Sequence, residues 1–152
     1  MISKINISLV SIIFLLYSNC VVAEANDRLF GMWKWDGTKT LDEIKKSHEN
    51  SENNRDAKRA LLFVTAQIDQ MNNSVRVFFA SDKYITIITD SKGNLLSSDA
   101  ATYHVVESTK DTTTIDQHNN GGIVKLHFSY NYYYIFSKVG DYAYKDFYVK
   151  QN

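Results

Sequence analysis

From Ser74 to Lys150 the sequence alternates with a period of two and is broken at short intervals by turn chemistry, which leaves few folds open. Candidate strands fall at 75–80, 83–89, 95–98, 102–108, 112–117, 123–129, 132–137 and 142–150. Separators such as Ser91-Lys92-Gly93-Asn94, Asn119-Asn120-Gly121-Gly122 and Lys138-Val139-Gly140-Asp141 carry the glycine, asparagine and aspartate that tight turns require. Strands this closely spaced have no room for crossover helices, so they pair as antiparallel neighbours in a meander.

Ahead of the meander the pattern differs. Residues 29–36 alternate as a first strand, with Trp33 and Trp35 on one face. Thr40-Leu41-Asp42-Glu43 has the form of a capping box and predicts a short helix from Leu41 to about Ser47. The asparagine-rich stretch that follows reads as a loop. A second helix is predicted over 55–71, where Ala57, Leu61, Val64, Ile68 and Met71 recur at spacings of four and three and form one apolar stripe. A sheet of about nine strands either closes or leaves aggregation-prone edges. The expected fold is therefore mainly β: an antiparallel meander barrel of about eight to ten strands with a helical insertion after the first strand.

The start of the chain reads as an address. Lys4, an apolar run from Ile5 to Tyr17 and small residues around Ala23 and Ala25 make a secretory signal peptide. The apolar run is shorter than the roughly 20 residues of a spanning helix, and Glu24, Asp27 and Arg28 follow at once. Cleavage after Ala23 (signal 1–23, one domain 24–152), or after Ala25, leaves roughly 127 to 129 residues, enough for one core. The expected location is periplasmic or extracellular, without stable membrane insertion. Cys20 raises the alternative of a lipoprotein, which Tyr17-Ser18-Asn19 before it disfavour. Cleavage removes this single cysteine, so the mature chain is expected to have neither a disulfide nor a thiol nucleophile.

Seventeen basic residues balance seventeen acidic ones, so no basic field exists to attract nucleic acid. No G-x-S-x-G elbow and no phosphate-cradling glycine loop is present, and His48, His104, His118 and His127 show no metal-ligand spacing. Hence no catalytic residue, metal or cofactor is expected, and the histidines read as solvated. Seven tyrosines crowd between Tyr130 and Tyr148. Alternation separates Tyr132, Tyr134 and Phe136 from Tyr133 and Ile135, so only one set can face a lumen.

At Leu29-Phe30-Gly31-Met32-Trp33-Lys34 the chain resembles the opening strand of the lipocalin and fatty-acid-binding protein group, in which G-x-W is characteristic. Gly31, Trp33, Asp36, Thr40, Leu41 and Ile44 also match small exported bacterial proteins with a lipocalin-like domain. The resemblance implies that Gly31 and Trp33 are structural and that Trp33 packs across the closed end of the barrel. It departs from the family at Thr89-Asp90-Ser91, only a shadow of T-D-Y, and in having no arginine beyond Arg76. Two functional readings follow. One is an exported protein that binds a small, largely apolar ligand among Trp35, Leu61, Val64, Ile68, Tyr132 and Tyr134. The other is a periplasmic interaction, inhibitor or immunity-type module whose partner is a protein.

Overall fold

The computed structural model describes residues 28–49, 55–71, 73–79, 82–90, 92–118 and 122–152; the expected signal peptide and Cys20 lie outside them. Eight antiparallel strands form one closed barrel in sequence order: β1 (Gly31–Trp35), β2 (Ser74–Phe79), β3 (Lys83–Thr89), β4 (Leu95–Ser108), β5 (Thr112–Gln117), β6 (Gly122–Ser129), β7 (Tyr132–Val139) and β8 (Tyr142–Gln151). Closure is made by β1, which pairs with both β2 and β8. Helices α1 (Gly37–Glu49) and α2 (Arg55–Met71) fill the insertion between β1 and β2. Among the described residues no helix is long and apolar enough to cross a membrane.

Three local expectations are corrected. The strands expected at 95–98 and 102–108 are one strand, because β4 stays paired with β3 from Thr102 back to Leu95 and only a bulge near Thr89 interrupts the ladder. Helix α1 starts at Gly37 rather than Leu41, because Asp36 caps it. The Asp36 carboxylate accepts the Lys39 amide at 2.9 Å and its carbonyl accepts the Thr40 amide at 3.0 Å. Glu43 therefore does not reach back to Thr40 but takes Lys145 of β8 at 2.9 Å. Helix α2 has the expected bounds, with Ala57, Ala60 and Val64 buried and Leu61, Ile68 and Met71 half-buried against the core.

The helices pack on the β7 and β8 side of one barrel end. Their seating fixes Gly37. A Cβ there would lie 2.5 Å from the Trp35 ring and 3.0 Å from Ile68 Cγ1. Gly140 in the β7–β8 turn has φ +59 and abuts the Asp56 carboxylate of α2, which accepts the Asp141 amide at 3.1 Å. At the opposite end Leu29 and Trp33 are buried together, and the Trp33 indole donates to the Leu29 carbonyl at 2.8 Å. Gly37→Ala should lower stability by about 1–3 kcal/mol, because the Trp35 ring is buried and held by its hydrogen bond to Asp146, which leaves it nowhere to shift. Urea denaturation measures it, and an unchanged midpoint would show that the helices are not seated against Trp35.

Candidate functional site

Directly paired residues in antiparallel strands share a face, so the register identifies the lumen. Buried Trp33 and Trp35 point inward and set the parity. Across β1 to β4 one inner row runs Trp33, Arg76, Thr86 and Asp99; across β1, β8, β7 and β6 another runs Trp35, Tyr148, Tyr133 and Phe128. The lumen thus holds an arginine surrounded by aromatic rings.

Packing accounts for much of the interior. The Trp33 ring meets Tyr133 edge-on at 4.9 Å, and Tyr133 stacks on Tyr148 at 4.8 Å. On the other side Phe78 packs against Tyr84 and Tyr103 at 5.3 and 5.5 Å. Aromatic contacts of this kind add about 0.5–1.5 kcal/mol each beyond burial of area. Arg76 lies between these groups, its guanidinium 4.6 Å from the Tyr148 ring centroid. It is enclosed by protein on nearly every side yet keeps some accessible surface.

Burial works to lower the Arg76 pKa, but the Tyr148 and Tyr133 hydroxyls outweigh it, and the net shift is upward. The cation persists at every working pH. Burial pushes Tyr133 up to about 12 against the pull of Arg76, so its hydroxyl stays a neutral donor. Burial likewise raises Tyr148. Tyr133 is fully buried, and its hydroxyl lies beside Arg76 without making a hydrogen bond of normal geometry. Among the described residues, no ion pair within 4.0 Å involves Arg76. A largely enclosed cation and a fully buried hydroxyl without a hydrogen-bond partner therefore adjoin one another in the lumen.

Asp146 of β8 is the nearby anion, and it is bound to the helix-capped end. Its Oδ1 accepts the Trp35 indole N–H at 2.6 Å and the Thr40 hydroxyl at 3.3 Å, while Oδ2 accepts the Ser137 hydroxyl at 3.4 Å. Burial raises its pKa above the ordinary 3.8, partly offset by the Trp35 hydrogen bond and by Arg76.

The expected ligand residues divide into two groups. Trp35 is buried and inward, and Leu61, Val64 and Ile68 lie on the core side of α2, so these four share one end of the barrel. Tyr132 and Tyr134 do not join them, and their expected place in the lumen is corrected: both are on the outer face. There Tyr132 meets Phe147 at 5.7 Å under the Lys39 ammonium, and Tyr134 stacks on His127 at 4.8 Å. The physical reason is that α1 covers the outside of β8. Outer residues such as Phe147 are buried there as well, so bulk and aromaticity do not distinguish the two faces. Tyr133, Tyr144 and Tyr148 occupy the lumen instead, with Arg76 and Asp146, none of which carries a spacing signal.

Among the described residues, a cleft of about 420 Å³ opens at the Leu29 end of the barrel, where the inner-row residues Trp33, Phe128 and Lys150 meet Arg28, Lys110 and Asp111, and one of about 290 Å³ lies on the outer wall between α1 and Phe147. No protein-family model, curated protein or solved structure matches the chain.

Asp146 makes a testable statement about pH. Its folded pKa lies above its unfolded value, so the folded state holds the proton more tightly. The resulting stability is complete below about 3.8 and is lost as pH rises through the raised folded value. Asp146→Asn should remove that loss while retaining an acceptor for Trp35. Urea midpoints of the variant should fall less than those of the unmodified protein between pH 4 and pH 7; parallel curves would show that Asp146 ionises as freely in the fold as in the unfolded chain.

Proposed function

We propose that this chain is an exported, lipocalin-like binding protein whose ligand is a small molecule with an apolar or aromatic body and an anionic head. The head, a carboxylate or similar oxyanion, binds the Arg76 guanidinium and accepts the Tyr133 hydroxyl. The observation that carries the reading is the pairing of a lumen cation that has no ion-pair partner within 4.0 Å among the described residues with a fully buried hydroxyl that has no acceptor. Both are costly to the fold. An unmet buried polar group costs about 1–3 kcal/mol, and replacing a buried charge by a well-packed apolar residue is often neutral or stabilising. One ligand oxyanion would satisfy both groups.

The surroundings suit the rest of such a ligand. Trp33, Phe78, Tyr84 and Tyr148 give Arg76 an aromatic surround, and the ligand must be small because these rings fill much of the barrel. The helices pack on β7 and β8, while the inner-face residues Ser97 and Asp99 of β4 are exposed, which supports entry of the ligand from the β3–β4 side. The reading includes export, with a mature chain beginning at Glu24 or Asn26 and no lipid at Cys20, and it assigns no catalysis. A second reading, a module that binds another protein, is favoured by one feature of the outer wall: Phe136, 56% exposed, packs edge-on to both His127 and Tyr134.

The test compares ligands that differ only at the head. Medium-chain and aromatic carboxylates and their corresponding alcohols are titrated against the mature protein, read by tryptophan fluorescence from Trp33 and Trp35. A carboxylate should bind at least 10-fold more tightly than its alcohol, consistent with a hydrogen bond to a charged group of about 1.5–3 kcal/mol. Arg76→Met should abolish the difference while leaving thermal stability equal or higher, and Tyr133→Phe should weaken carboxylate binding about three- to tenfold without loss of stability. Carboxylates that bind no better than alcohols, or an Arg76→Met protein that still discriminates, would refute the proposal.

A further inference from the structure

The outer face of the β4–β5 hairpin carries a group independent of the lumen. His104 of β4 sits directly opposite Asp116 of β5, and His118 follows just after β5 ends. The backbone holds them there, since the His118 amide donates to the Thr102 carbonyl at 3.3 Å and extends the ladder past the last paired residues. His104 Nδ1 lies 3.0 Å from His118 Nε2, with the two rings tilted against each other at 4.8 Å. The Asp116 carboxylate is 3.9 Å from His104 Nε2. One donor atom from each of the three residues falls within 4.8 Å of the others, and the histidines are exposed to solvent.

We infer that His104, Asp116 and His118 form a surface site for a borderline first-row divalent cation, Zn²⁺, Ni²⁺ or Cu²⁺. The geometry fits this class. Two metal–nitrogen bonds of about 2.0–2.1 Å, meeting at 90–109°, place their nitrogens about 3.0–3.4 Å apart, which is the separation these imidazoles already have. A nitrogen–nitrogen contact at 3.0 Å needs one proton between two neutral rings. A divalent ion bound to both nitrogens replaces that proton and removes the need for it. The Asp116 carboxylate faces the other ring nitrogen of His104 at 3.9 Å, so it reaches an ion held between the two histidines by a turn of its side chain and supplies the third ligand, and the exposed side of the site leaves further positions to water. Imidazole donors favour zinc, nickel and copper, whereas magnesium and calcium require oxygen ligands, so the latter pair is excluded. The two histidines, one in β4 and one just past the end of β5, meet through the register and not through sequence spacing, which is why no H-x-x-x-H pattern marks the site.

The test uses tag-free mature protein at pH 7.5, titrated calorimetrically with Zn²⁺ and Ni²⁺, and with Cu²⁺ followed by electron paramagnetic resonance. One equivalent of each ion should bind with micromolar or tighter affinity, and the copper spectrum should show two nitrogen ligands. His104→Gln and His118→Gln should each weaken binding by at least 30-fold and Asp116→Asn by at least 10-fold, while His48→Gln leaves it unchanged. Mg²⁺ should give no heat. The variants lie on the outer wall, and far-ultraviolet circular dichroism confirms that each still folds. Binding weaker than about 0.1 mM, or variants that bind as the unmodified protein does, would overturn the inference; failure of the lumen to bind carboxylates would leave it untouched.

Discussion

Barrel closure depends on what happens where β1 stops. This strand is five residues long, and its last pair with β8 is Trp35 opposite Tyr148. Beyond that pair β8 would present bare backbone to solvent, and helix α1 supplies the missing partners. The Asp36 amide donates to the Phe147 carbonyl at 2.9 Å, and the Thr40 hydroxyl accepts the Phe147 amide at 3.1 Å. The same hydroxyl donates to Asp146, which also takes the Trp35 indole. One carboxylate thus ties β1, β7, β8 and α1 together at the place where an edge would otherwise open. Docking of α2 follows from it, because Gly37 leaves the space in which Trp35 and Ile68 meet.

The lumen sets a second constraint, and it opposes the first in sign. Asp146 has donors enough to offset much of its desolvation, whereas Arg76 is met mainly by ring faces and hydroxyl dipoles. Cation–π contact with Tyr148 recovers about 2 kcal/mol or more in a desolvated setting, against a cost of several kcal/mol for an ion taken fully out of water. A core selected for stability alone would not place an arginine between Trp33 and Thr86 in the inner row. Its presence there is the physical basis for reading the lumen as a binding site, with the helices closing one side and β3–β4 open on the other.

Periodicity made most of the fold legible. Strands β3 and β5 and helix α2 have the expected bounds, since each is a simple periodic run between clear breakers. What the sequence hides are decisions made by neighbours. Asp99-Ala100-Ala101 is left as a gap between two expected strands, but β3 pairs with it and holds it extended, so β4 runs unbroken. Tyr132 and Tyr134 look better suited to a lumen than Tyr133, yet the stack of Tyr133 on Tyr148 sets the parity. In β2, pairing with Trp33 turns Arg76 inward and leaves Val75 and Val77 on the other face. The candidate site is the part least visible in the chain, because all of its polar members gain meaning only through register.

Native mass spectrometry of the protein isolated from its own cells measures the central claim most directly. The account predicts a mature chain carrying one small, acidic, non-covalently held molecule, and the same chain without that mass when Arg76 is replaced by methionine. A bare chain, a complex with another protein in place of a small molecule, or a small molecule retained equally by the Arg76→Met protein would contradict it.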